Sequence, residues 1–236
     1  MLFHISKRMR KVTAPSLIGR VGGWALFLFL FFSLSFTSCQ SDTDVYDPYH
    51  DWQGRNEAWF VQIADSARTA IRQAQRAYGD AWEAHCDWRM YKALTKAQDY
   101  DSKLLSDSIC VHILSRGSGT VSPLYSDSVR CNYRGWIMPT ADANGLTEEL
   151  VFDQTYYGAY DVATAAPSKL GMSNLVPGFS TALQHMTVGD DWHVYIPAPL
   201  GYGQQSNGII PAYSVLHFRL QLMGIYPKGA EVPEWK

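Results

Sequence analysis

From Ile109 onward the apolar residues of this 236-residue chain recur at every second position, and that period limits what the chain can fold into. Ile109, Val111 and Ile113 alternate with Cys110, His112 and Leu114 before the turn Arg116-Gly117-Ser118-Gly119. Further strands are predicted through Val129, Cys131 and Tyr133, around Val151-Phe152, over Trp192–Ile196, and over Val215–Ile225, where Leu216, Phe218, Leu220 and Leu222 alternate. Such alternation turns successive side chains to opposite faces of a sheet. One short helix is predicted among them: PGFSTALQHM, Pro177 to Met186, opens on a proline and pairs Phe179 with Leu183 at i, i+4. Strands with a single short central helix indicate an α+β domain with an antiparallel sheet, running from residue 109 to 236.

Before that domain the period is helical. Trp59, Ile63, Ala67, Ala70, Ile71, Ala74, Ala77 and Tyr78 recur at steps of three and four, with Arg68, Arg72, Gln75 and Arg76 mostly opposite. A helical arm is therefore expected over residues 51–95, interrupted near Gly79-Asp80, and a polar linker over 96–108. The stripe suits either an arm folded onto its own domain or a surface that pairs two copies into a homodimer.

The N-terminus reads as an address rather than as structure. Lys7, Arg8, Arg10, Lys11 and Arg20 precede the apolar run Val21–Phe32, and small and polar residues then lead to Cys39. Residues 1–38 resemble a bacterial lipoprotein signal, with Cys39 as the lipidation site and first residue of the mature chain. Phe36 departs from the leucine usual three residues earlier. An uncleaved anchor extended through Leu34 and Phe36, or Cys39 as an ordinary disulfide partner, are the other readings. Residues 39–50 are acidic, polar and contain Pro48, so they are expected to form a flexible tether. The whole suits a location in the cell envelope, attached to a membrane by lipid. Cys86, Cys110 and Cys131 leave room for one disulfide without selecting a pair.

Several classes of function find no support. A net charge of −2 gives no electrostatic case for nucleic acid. Of seven histidines, those in the domain include His185, His193 and His217, but none has metal-ligand spacing, and the latter two are expected on solvent faces of strands. No metal and no cofactor is expected. Ser180 does not stand in G-x-S-x-G, which leaves a hydrolase elbow without support.

Three ordered blocks carry a more specific signal. They are VRCNYRGWI (Val129–Ile137) followed by VFDQT (Val151–Thr155), LVPGFSTALQHMTVGD (Leu175–Asp190), and IPAPLGYGQQSNGIIPAYSVLHFRLQLMGI (Ile196–Ile225). In order and spacing they resemble FKBP-type peptidyl-prolyl isomerases, over about half of the chain. The resemblance implies an antiparallel sheet wrapped around the short helix, proline-containing polypeptides as clients, and catalysis of X–Pro rotation without acid, base or nucleophile. That barrier, about 18–20 kcal/mol, comes from amide resonance, and an apolar pocket that strips water from the carbonyl disfavours the planar form. Aromatic walls with a few polar groups are what such chemistry requires.

Carried onto this sequence, the resemblance assigns catalytic roles to Tyr133, Phe152, Asp153, Val176, Tyr202 and Phe218, and substrate contacts to Leu175, Phe179, Ile209 and Ile210. The Val176 N–H and the Tyr202 hydroxyl would hold ligand carbonyls, and Asp153 would accept a hydrogen bond at a buried rim. Departures are Phe179 where the family usually has tryptophan, Gly201 where alanine is common, a shortened Gln204–Gly208 loop without its histidine, and a longer Tyr133-to-Phe152 connection. A retained pocket that binds clients or acts as a chaperone with little turnover is the alternative.

Overall fold

The computed structural model describes residues 46–98, 104–142 and 144–235. The leader, Cys39 and the tether as far as Val45 lie outside the described residues. The period-two segments form strands: β1 Trp88–Lys92, β2 Ser108–Ser115, β3 Ser128–Ile137, β4 Thr140–Ala141, β5 Thr147–Glu148, β6 Val151–Gln154, β7 Ser168–Gly171, β8 Asp191–Ile196 and β9 Leu216–Tyr226. Two helices accompany them, α1 Trp52–Tyr78 and α2 Pro177–His185. The main sheet runs β1-β2-β8-β9-β3-β6 with every pair antiparallel. β7 joins the same edge of β3 as β6, beside residues Ser128–Cys131. β4 and β5 form a separate hairpin within the polar insertion.

One face of the sheet packs on α2. Val111 and Ile113 of β2, Trp192, Val194 and Ile196 of β8, and Leu216, Leu220 and Leu222 of β9 are buried against Phe179, Ala182 and Leu183. Burying each such aliphatic side chain contributes about 1.5–3 kcal/mol, so this layer dominates the stability of the domain. α2 begins where sequence chemistry asks it to, with Pro177 at its first turn. It comes very close to β8: a β-carbon on Gly178 would stand 2.3 Å from Ile196 Cγ2, which only glycine avoids.

Several expectations require correction. The arm is not helical to residue 95. α1 ends at Tyr78, a 3-10 stretch covers Gly79–His85, and Trp88–Lys92 is an edge strand paired with β2. The buried stripe of α1 is Trp52, Asn56, Phe60, Ala64, Ala67 and Ala74, while Tyr78 is exposed and Ile63 only half-buried. Residue type alone could not choose among neighbouring stripes, because a buried asparagine takes part in the true one. Phe60 and Ala64 cover Cys110 and Val215, so α1 packs on its own sheet. The described part of the expected tether, residues 46–50, makes defined contacts: the Tyr46 hydroxyl donates to the Ala141 carbonyl, and Tyr49 packs edge-on against Trp52 at 5.1 Å.

His193 and His217 are not solvent-facing. They lie half-buried on the sheet face away from α2, with His193 Nδ1 and His217 Nε2 sharing a hydrogen bond of 2.6 Å. His217 stacks on Tyr195 at 4.4 Å and on Trp136 at 4.9 Å. Cys86, Cys110 and Cys131 are buried free thiols, and burial pushes Cys110 and Cys131 up to about 12.

Candidate active site

A cavity of about 560 Å³ opens between the inner face of the sheet, the N-terminal end of α2 and the loops after β8. Its centre is Phe218, on β9. Phe152 meets this ring edge-to-face at 5.2 Å, Phe179 at 4.9 Å and Tyr133 at 6.4 Å, while Tyr133 and Phe179 meet at 6.0 Å. Offset, edge-on arrangements of this kind stabilise aromatic clusters beyond simple burial and resist rearrangement. The rings come from three separated places in the chain. Tyr133 points inward because β3 alternates, and Phe179 because it lies one turn into α2. Phe152 is the extra residue of a bulge, since Asp153 and Val151 oppose Gly135 and Trp136 on β3.

The ten residues named from the sequence all line this one cavity: Tyr133, Phe152, Asp153, Leu175, Val176, Phe179, Tyr202, Ile209, Ile210 and Phe218. Phe179, Ile210 and Phe218 are buried, Ile209 and Asp153 are exposed, and the others are intermediate. Asp153 is therefore a solvent-exposed rim carboxylate rather than a buried one. It accepts a 2.9 Å hydrogen bond from the Tyr133 hydroxyl. Burial, together with that bond and the adjacent carboxylate charge, pushes the Tyr133 phenol well above its ordinary value, so it stays protonated as a donor. Asp153 is the sole charged side chain on the lining.

Two donors at the cavity are left for a ligand. The Val176 carbonyl accepts from Phe179 N–H and Ser180 N–H at the start of α2, but the Val176 N–H has no acceptor among the described residues. The Tyr202 hydroxyl likewise has none. Tyr202 sits on a tight turn closed by Gly203 N–H to Ala198 carbonyl at 2.8 Å. A wall of aromatic edges with two unpaired donors at its mouth can receive an apolar ring flanked by carbonyl groups.

Four lining residues were not anticipated: Leu170, Asn174, Asn207 and Gly208. Leu170 belongs to β7, whose sequence Ser-Lys-Leu-Gly carries no strand pattern. Asn207-Gly208 is a turn dipeptide that could have been recognised, with Gly208 at φ +59° and Asn207 bridged to Ile210. Nothing in the sequence marks Asn174. No cluster of His, Cys, Asp and Glu able to hold a metal ion occurs among the described residues.

Residues 119–223 match the family of FKBP-type peptidyl-prolyl cis-trans isomerases. Over 114 residues the chain is 32% identical to the FKBP-type 22 kDa peptidyl-prolyl cis-trans isomerase of Escherichia coli K12, covering 48% of each protein. Over 135 residues it is 30% identical to the macrophage infectivity potentiator of Trypanosoma cruzi, covering 57% of this chain and 61% of that one. Over 113 residues it is 30% identical to FK506-binding protein 1 of Aspergillus oryzae, covering 48% of this chain and 94% of the relative. The matched region thus spans nearly the whole of the short relative and about half to three fifths of the longer ones.

Proposed function

The chain belongs to the FKBP-type peptidyl-prolyl cis-trans isomerase family, and on that premise we propose that it catalyses rotation about X–Pro bonds in proteins folding within a bacterial envelope. The observation that carries this reading is the aromatic cavity with its two unpaired donors. A prolyl ring seated among Tyr133, Phe152, Phe179 and Phe218 would remove its amide from water. Resonance in the planar amide separates charge, so desolvation disfavours the ground state more than the twisted one. The Val176 N–H and Tyr202 O–H would then hold the carbonyls on either side, fixing the chain while the bond turns. Asp153 orients the Tyr133 hydroxyl instead of exchanging protons with substrate.

The test is a protease-coupled assay on proline peptides, with and without a macrolide inhibitor of FKBPs. Turnover above the uncatalysed rate is expected, and inhibition with it. Tyr202→Phe should lower kcat/KM by about five- to tenfold, the worth of one hydrogen bond of about 1–1.5 kcal/mol. A folded protein that gives only the background rate would sink the catalytic reading. A second reading, client binding with little turnover, is favoured by Phe179, whose ring is smaller than the tryptophan common in the family. It predicts measurable peptide affinity in that same inactive protein.

The leader supports lipid attachment at Cys39, on the periplasmic side or the cell surface, followed by a short tether. Labelling of cells with radioactive palmitate should mark the protein and should not mark Cys39→Ser. A homodimer through the arm has only the outer side of α1 to use, where Val61 is exposed, because the buried stripe covers the chain's own sheet. Sedimentation of the full mature chain distinguishes monomer from dimer. Deletion of residues 51–95 does not, because it would also remove strand β1 and the buried Trp52 and Phe60.

A further inference from the structure

Asn56 lies on α1, far in sequence from every cavity residue, and its side chain is completely buried. Its Oδ1 accepts the Val215 N–H at 2.8 Å, and its Nδ2 donates to the Trp52 carbonyl at 2.8 Å. One turn earlier the Trp52 indole N–H donates to Ser214 Oγ at 3.0 Å. The Ser214 hydroxyl in turn donates to the Pro211 carbonyl at 2.7 Å. Two neighbouring turns of α1 therefore grip a single segment, Pro211–Val215.

That segment joins the cavity to the sheet. It follows Ile209 and Ile210 of the cavity wall directly and leads into β9, which carries Phe218. At its middle, Tyr213 adopts φ +63°, a left-handed conformation that a tyrosine rarely takes without outside support. The Tyr213 N–H donates to the Gly203 carbonyl at 2.8 Å, one residue beyond Tyr202. The strap thus ties together α1, the Tyr202 turn and the Ile209–Ile210 wall.

Hydrophobic packing alone does not account for Asn56. A leucine would serve an interface lined by Phe60, Ala64 and Val215, and burying a carboxamide is unfavourable unless its hydrogen bonds are made. What asparagine adds is direction, because its bonds set where the strap runs. We infer that Asn56 and Trp52 are positioning residues of the X–Pro site, holding the Tyr202 hydroxyl and the isoleucine wall in register through residues 211–215. The inference rests on the isomerase reading of the cavity. It makes the helical arm part of the site rather than an appendage to it, because small displacements of binding groups carry large rate penalties.

The experiment uses the full mature chain with Asn56→Leu, and Ala74→Gly as a control in the same buried stripe but remote from the strap. Proline-peptide turnover, peptide affinity by calorimetry, and the amide resonances of Tyr202, Gly203 and Ile210 are measured well below the melting transition. Asn56→Leu is expected to weaken peptide binding and kcat/KM at least fivefold and to shift those three resonances. Ala74→Gly, at a comparable loss of melting temperature, should stay within twofold of the parent and leave the resonances in place. The inference is overturned if folded Asn56→Leu binds peptide like the parent, or if the control is affected equally. Should Asn56→Leu not fold, Trp52→Phe, which keeps the ring but loses the bond to Ser214, decides by the same measurements. Should the parent itself neither bind nor turn over peptide, the isomerase reading fails, and the resonances alone report whether α1 positions the Tyr202 turn.

Discussion

Replacing Gly135 by alanine is expected to lower proline-peptide turnover by roughly 10- to 100-fold, a larger loss than removing any one polar group of the cavity. Gly135 stands on β3 opposite Phe218 of β9 and beside the β6 bulge that presents Phe152. A β-carbon there would lie 2.6 Å from Phe218 Cε1 and 2.7 Å from Phe152 Cζ. Both distances are far inside van der Waals contact, so the rings would have to move. They are held edge-to-face with each other and, through Phe218, with Phe179, so moving either ring disturbs the cluster. Overpacking of this kind costs typically 1–3 kcal/mol of stability. The functional penalty is greater, because the two rings that must move are walls of the cavity. Turnover, peptide affinity and the melting temperature of Gly135→Ala check this. Activity within twofold of the parent would show that the walls are more compliant than their packing indicates.

The second large effect is on stability in acid. Burial, with a smaller contribution from the Arg219 cation, lowers His193 to about 4. Burial, with His193 beside it, lowers His217 to about 3. At their 2.6 Å contact one ring nitrogen donates and the other accepts, so both rings are neutral there, and charging both would set two cations side by side. Around them stand His112 on β2, Arg134 over Trp136 on β3, and the Arg219–Asp191 ion pair at 2.7 Å. The sign follows from linkage. An unfolded histidine takes a proton near pH 6.5, whereas the folded pair refuses one until about pH 4. Stability is therefore full above about pH 6.5 and is lost as the pH falls from there toward 4, by up to about 1.4 kcal/mol per pH unit for each ring.

Both rings keep partial contact with water, which reduces the effect to roughly 2 kcal/mol at pH 5. For a domain of this size that lowers the melting temperature by about 4–8 °C between pH 7.5 and 5. His185, stacked on Tyr91 at 3.9 Å and also lowered by burial, acts in the same direction. His217→Gln should remove about half of the pH dependence while retaining a hydrogen-bonding partner for His193. Equal melting temperatures at pH 7.5 and pH 5 in the parent would falsify the assignment of a buried neutral pair.

Strands such as β8 and β9 were readable because alternate residues are buried, Trp192, Val194 and Ile196 on one and Leu216, Phe218 and Leu220 on the other, and period two is how such burial is written in a sequence. The ten cavity residues were readable for a different reason: they fall inside contiguous blocks whose order resembles a known family. Strand β1 was hidden inside the arm. Trp88–Lys92 is five residues long, follows a helix closely, and becomes a strand only because β2 offers an open edge. β7 was hidden because it has almost no apolar content, and its pairing with β3 is imposed by register. The histidine pair was read as two separate surface residues because adjacency between β8 and β9 brings them together, a relation absent from either strand alone.

The sequence by itself determined the class of fold, the family and the side chains available to a proline-sized cavity. All of these depend on residue type, local period and motif order. Only the tertiary structure decided that alternation on β3 and β9 sets Gly135 under two aromatic rings, and that Asn56 on α1 bonds the strand entrance at Val215. It also decided that the arm packs on the chain's own sheet, against Cys110 and Val215. These depend on which segments meet in space, and contacts between residues as far apart as Gly135 and Phe218, or Asn56 and Val215, leave no periodic trace along the chain.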